Sequence, residues 1–300
     1  MSLATTAPHV ERIELDELVC WRIRTAHANL LIAQQGAQVL TYQPHDQQPV
    51  IWLSEQAAYK KGQSVRGGVP VCWPWFGDLA RNPEPIQQQH AGASAPAHGP
   101  VRGLDWQLQG IDNDDQRVTL RFTLPANSLP ALPAGIELSL DVQLDERLTL
   151  SLTTRNGSDQ PLALSQALHT YFAVGDIHQT RLEGFDQTRY IETLANWEQR
   201  TQHGDITFTG ETDRIYLDVP AQLSIFDPLW NRRIHLASSG SRSAVVWNPW
   251  TDKAQRLSQF ADDAWPGMLC IETANVLDDH LTLTPGAAHT MAVTLWAESA

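Results

Sequence analysis

The sequence predicts an all-β protein, a large antiparallel β-sandwich. The first observation behind this is period-two alternation. Val118, Leu120, Phe122 and Leu124 alternate with Thr119, Arg121 and Thr123. Ile136, Leu138, Leu140, Val142 and Leu144 alternate with Glu137, Ser139, Asp141 and Gln143, and Leu148, Leu150 and Leu152 with Thr149 and Ser151. Such a pattern places one strand face in a core and the other in water, as antiparallel sheets do. The second is how little helical periodicity there is: only Lys253–Ala261 reads as a short helix. The third is punctuation by turn residues at Asp145-Glu146, Asn156-Gly157 and Ser238-Ser239-Gly240. No long-period repeat argues for a propeller or solenoid, and no composition break divides the chain. A single domain over residues 1–300 is expected.

Taken in order, residues 18–42 read as two or three short strands around Cys20, Trp21, Ile23, Leu30-Leu31-Ile32 and Val39-Leu40. Val50-Ile51-Trp52-Leu53 is a further apolar run. Arg66-Gly67-Gly68-Val69-Pro70 and the following Val71 to Asp78 hold two glycines, two prolines and three aromatics before Gly77, so no long regular element fits. A rigid turn flanked by buried aromatics is expected. Gly67 and Gly68 permit close backbone approach and free N–H groups, and Arg66 offers a planar cation suited to phosphate or carboxylate. A Gly-Gly hairpin turn is the plainer alternative. Residues 82–97, rich in Pro, Gln, Ala and Gly, read as an exposed, mobile loop, with a lid as the alternative. The strand pattern returns at 181–193, 215–226, 233–247 and 289–296.

With 300 residues, 42% of them apolar, the chain can build a sizeable core. A formal net charge of −13 argues against nucleic acid and anionic membranes as partners and makes any anion site depend on local arginines. Three cysteines, Cys20, Cys72 and Cys270, without CxxC spacing argue against a disulfide framework or a zinc site and favour a reducing compartment. No apolar signal segment is visible near the N-terminus, and no apolar run approaches the roughly 20 residues that span a bilayer. A cytoplasmic protein is expected.

Common nucleotide, serine-hydrolase and zinc-protease signatures are missing, and none of the eleven histidines forms an HxH or HxxxH pair. Two strand-like runs are chemically odd. His169 lies in Ala167-Leu168-His169-Thr170-Tyr171-Phe172, and Glu272 in Cys270-Ile271-Glu272-Thr273-Ala274-Asn275. A buried carboxylate is costly unless paired or functional, so an acid/base pair is a real option beside a satisfied core histidine. A non-catalytic carbohydrate-binding module, supported by eleven tryptophans, stays open. So does a glycoside hydrolase or lyase with Asp213 as second carboxylate.

These segments carry a resemblance. Arg66-Gly67-Gly68-Val69-Pro70 with Trp75-Phe76-Gly77, His98-Gly99-Pro100-Val101-Arg102, the His169 and Glu272 segments, Thr212-Asp213-Arg214-Ile215-Tyr216 and Val246-Trp247-Asn248-Pro249-Trp250 resemble, in order, the aldose 1-epimerase-like family in its hexose-6-phosphate mutarotase branch. The resemblance implies a β-supersandwich, no cofactor and no metal. It implies interconversion of the α and β anomers of glucose 6-phosphate by acid/base ring opening. It gives His169 as general acid and Glu272 as general base, Arg66 and Arg102 to the sugar phosphate, Asp213 to a sugar hydroxyl and His98 to the substrate. The implied partner is a small-molecule sugar phosphate and the expected assembly a monomer. Where the family pattern often has a glutamine before the His-Gly pair and an asparagine after the next arginine, this chain has Ala97 and Gly103.

Overall fold

A computed structural model describes residues 9–92, 95–114, 116–126 and 128–300. Nearly all regular structure is antiparallel β. A four-stranded meander, His9–Leu15, Leu18–Arg24, Ala28–Ala33 and Val39–Pro44, begins the fold. A long back sheet of eight strands runs in the order Arg181–Glu183, Gln222–Asp227, Arg232–Ser239, Ala288–Ser299, Leu148–Asn156, Ile136–Leu144, Val118–Thr123, Gln107–Asn113. Its alternating residues were the clearest sequence signal. Leu120, Phe122, Leu140, Val142, Leu150 and Leu152 all enter the main core.

A second eight-stranded sheet carries the chemistry. Its path is Glu198–Thr201, Arg189–Glu192, Thr212–Leu217, Ser243–Asn248, Met268–Asn275, Gln166–Leu168 and Val71–Cys72, with Tyr171–Ala173 also paired to Met268–Asn275. Met268–Asn275 is buried at all eight positions. Leu269 and Ile271 face the main core; Met268 and Cys270 join a separate apolar cluster and Ala274 a third. Since strand side chains alternate, Glu272 points away from the main core, between Cys270 and Ala274.

Several local expectations change. The short helix is Trp250–Ala254 rather than Lys253–Ala261. Asn248 Oδ1 accepts the Trp250 N–H at 2.9 Å, which starts the helix early, and Gln259 has left-handed backbone, φ 57°, which helical continuation forbids. Residues 82–97 are not one exposed, mobile loop. Glu84–Gln89 is helical, and Ile86 is buried with Trp75 and Ala163. The Gln89 amide brackets Ala163, donating to its carbonyl at 3.1 Å and accepting its N–H at 3.0 Å. Ala93 and Ser94 lie outside the described residues. Val50-Ile51-Trp52-Leu53 makes only isolated bridges, Ile51 to Phe172 and Leu53 to Gly67.

No helix among the described residues is long and apolar enough to cross a membrane. The three cysteines are free and buried.

Candidate active site

The strand register brings the two chemically odd residues together. Leu168 lies opposite Thr273, and Tyr171 opposite Cys270. The two short strands share one register, so the residues between them place His169 across from Glu272. The ladder breaks there because the backbone turns to another partner: His169 N–H donates to Pro70 O at 3.0 Å and Tyr171 N–H to Gly68 O at 3.0 Å. His169 Nε2 lies 3.4 Å from Glu272 Oε1. The outer atoms of the pair, His169 Nδ1 and Glu272 Oε2, have no hydrogen-bond partner among the described residues.

Both side chains line a cleft of about 480 Å³ together with Arg66, Phe76, His98, Tyr171, Asp213 and Trp247. The next strands supply the walls. Asp213 lies opposite Trp247, and Trp247 opposite Cys270. Four of the expected residues, His98, His169, Asp213 and Glu272, thus share one cavity with Arg66.

Arg102 does not line it. It lies in an adjoining polar pocket of about 280 Å³ with Gln63, Ser64, Ser258 and Gln259. Arg66 and Tyr171 line both spaces. Arg102 Nη2 donates to Ala97 O at 2.7 Å, so the position that often holds a glutamine contributes its carbonyl, which any residue would supply. At Gly103 an added Cβ would meet Gly62 O at 3.0 Å. Neither Arg66 nor Arg102 forms an ion pair among the described residues. Arg66 donates only to Ser258 O and to the Tyr171 hydroxyl, each at 3.3 Å.

The glycines near these arginines have a structural job. Gly68 has φ 70°, and a Cβ there would lie 2.3 Å from Val39 O; its N–H is spent on Trp52 O at 2.7 Å. Gly103 N–H likewise goes to Pro100 O. At Gly68 and Gly103 the amides are spent within the backbone and tight packing favours glycine.

Electrostatics follows from burial. Desolvation pushes the His169 pKa well below its ordinary value, helped by His98, Arg102 and Arg66. Desolvation and then Asp213 push Glu272 well above the carboxylate range, while Arg102 opposes. Asp213 is raised by burial too. Burial, with Arg102 and Arg66, lowers His98 to about 3, keeping it neutral. Its Nδ1 accepts the Gly77 N–H at 3.3 Å, so the proton sits on Nε2, which is then a donor.

Among the tryptophans, Trp247 lines the cleft, whereas Trp73 is core and donates to Thr154 Oγ1 at 3.0 Å. Trp75 packs on the Glu84–Gln89 helix and Trp250 on Trp265. Sequence reasoning missed Trp197 and Arg81, which also line the cleft, the guanidinium 5.2 Å from the indole centroid. They sit in a hairpin tip and a short 3₁₀ turn with no motif to flag them. Among the described residues no cluster of three or more His, Cys, Asp or Glu side chains is placed to hold a metal ion.

The aldose 1-epimerase family model matches residues 19–296. The chain belongs to the aldose 1-epimerase family. A relative from Escherichia coli strain K12, provisionally named glucose-6-phosphate 1-epimerase, is 30% identical over 94% of this chain and 92% of its own. A plant relative from Cenchrus ciliaris, under the same provisional name, is 32% identical over 84% of this chain and 76% of its own. A crystal structure from Salmonella typhimurium, provisionally described as a mutarotase, superimposes with a TM-score of 0.87 at 28% identity, covering 100% of this chain and 96% of that one. The fold of this epimerase family member is therefore the mutarotase β-sandwich: the alternating strands predicted an antiparallel sandwich, and the family resemblance its mutarotase form.

Proposed function

We propose that the protein is a hexose-6-phosphate mutarotase that interconverts the α and β anomers of glucose 6-phosphate and related hexose 6-phosphates. The observation that carries this is one buried imidazole–carboxyl pair, 3.4 Å apart with its outer atoms unpartnered, in a sugar-sized cleft beside two arginines that lack carboxylate partners. The provisional names of the relatives point the same way.

Ring opening needs one proton removed and one delivered. A base takes the proton from the C1 hydroxyl, an acid protonates the ring oxygen, and the C1–O5 bond breaks to give the aldehyde. Rotation about C1–C2 and closure on the other face reverse both transfers. Burial favours the uncharged form of each partner, so His169 and Glu272 hold one transferable proton between them. Moving it onto His169 gives an imidazolium acid and a Glu272 carboxylate base, and the Arg102 field favours that carboxylate. After opening, the roles exchange and the proton count is restored, which suits a reaction that runs equally both ways.

Asp213 accepts from a sugar hydroxyl, neutral His98 donates through Nε2, and Trp247 covers a C–H face. Arg66 and Arg102 take the phosphate. The same reading treats the chain as one domain, supported by a core cluster that runs from Ile23 to Leu295. It places a monomer in a reducing, cytoplasmic setting. The test is NMR exchange between the anomers of glucose 6-phosphate with and without protein. Accelerated exchange is expected; an unchanged rate would sink the proposal.

A further inference from the structure

Tyr171 has a place in this site that no motif assigns. It is 3% exposed, and its ring stacks on His169 with centroids 4.8 Å apart and planes 11° from parallel. Trp52 stacks on it as well, at 5.8 Å and 23°. Its hydroxyl accepts from Arg66 Nη1 at 3.3 Å. Tyr171 and Arg66 are also the two residues common to the cleft and to the pocket holding Arg102. A ring held between Trp52 and His169 has little freedom to turn, so its hydroxyl stays at that boundary. Burial keeps the phenol protonated, and among the described residues its hydroxyl is bonded only to Arg66, as acceptor.

We propose that Tyr171 determines specificity for phosphorylated over neutral sugars: its hydroxyl donates to the substrate's phosphate beside Arg66 and Arg102, while its ring holds the His169 imidazole in plane. This rests on the mutarotase reading above. One side chain then links recognition of the anion to the orientation of the acid. Its two parts separate by substitution. Tyr171→Phe keeps the stack and removes the donor. Tyr171→Leu removes both.

The experiment compares anomer exchange of glucose 6-phosphate and glucose by NMR, after thermal unfolding has shown each variant folded. In Tyr171→Phe, KM for glucose 6-phosphate rises roughly tenfold, the expected loss of one hydrogen bond to a charged group. Its kcat stays within about twofold and glucose kinetics do not move. Tyr171→Leu lowers kcat on both sugars. A Tyr171→Phe enzyme with unchanged KM for glucose 6-phosphate overturns the proposal. Wild-type protein that accelerates neither sugar overturns the mutarotase reading instead, so the two failures are distinguishable. A measurement on wild type needs no variant. Of five tyrosines, Tyr171 alone lines either cavity. Inorganic phosphate titrated onto protein labelled with 3-fluorotyrosine should shift one fluorine resonance; a spectrum in which none shifts overturns the proposal.

Discussion

Two buried pairs of opposite charge type sit in this molecule, and they are finished differently. Asp227 and Arg232, 0% and 3% exposed, lie on adjacent strands of the back sheet. Arg232 donates to Asp227, and to the carbonyls of Gln48, Pro49 and Ala173 at 2.7–3.0 Å. Asp227 also accepts the Gly175 N–H at 3.1 Å. His169 and Glu272 are almost as buried, yet each keeps an atom without a hydrogen-bond partner among the described residues. The first pair is saturated and ties the segment after the meander, the back sheet and the Tyr171–Ala173 strand together. The second is left open toward a cleft. Burial of charge is costly in both places; the difference lies in whether the protein or a ligand completes the hydrogen bonds.

The largest test of that contrast is Glu272→Gln, which keeps shape but cannot cycle a proton. Anomer exchange should fall by about 10³-fold or more, with substrate still bound and the unfolding midpoint nearly unchanged. Exchange at the wild-type rate would show that the carboxyl is only structural. Asp227→Ala should do the reverse. Leaving Arg232 buried without its anion costs about 3–5 kcal/mol of stability, read as a lower denaturant midpoint, while the folded fraction keeps its kcat. A variant as stable as wild type would remove the saturated half of the comparison.

Arginines extend the same contrast. Arg66→Ala or Arg102→Ala should raise KM for glucose 6-phosphate by roughly 10–100-fold, as expected for lost charge-assisted contacts, and leave KM for glucose alone. Equal loss on both sugars would mean that these arginines hold the fold, as Arg232 does.

The smallest expected effect is on pH dependence. Burial lowers His169 and raises Glu272, so the pair gains a second proton only in acid below the ordinary histidine range and loses its shared one only above the ordinary carboxylate range. The acid limb of kcat is therefore expected below the ordinary histidine value of 6.5, and an acid limb centred near 6.5 would contradict it. Stability carries the sign separately. With its folded pKa raised, Glu272 favours folding at low pH, and that contribution fades as pH rises through its folded value. Stability of Glu272→Gln relative to wild type should therefore improve as pH rises from the ordinary carboxylate value of 4.5 towards the raised folded value, measured by urea unfolding at each pH; a constant difference would show that the folded carboxyl ionises at its ordinary value.

Much of this was open to reading along the chain. Alternation at 118–124, 136–144 and 148–152 comes from each residue's own preference for core or water, so it survives without knowledge of partners. His169 and Glu272 stood out because a titratable group inside an apolar strand run is anomalous on local grounds alone. The Glu84–Gln89 helix was missed because a single apolar residue, Ile86, anchors it, too little to show a period.

What the sequence by itself determined is therefore the class of fold, the aromatic and charged inventory, and the two residues worth suspecting. Tertiary structure decided that His169 faces Glu272, that Arg102 stands beyond a wall of Arg66 and Tyr171, and that the conspicuous glycines serve backbone packing. Each of those depends on register between strands about a hundred residues apart or on close approach of separate segments. Periodicity is a property of neighbours along the chain, whereas register is set only when the whole sheet closes.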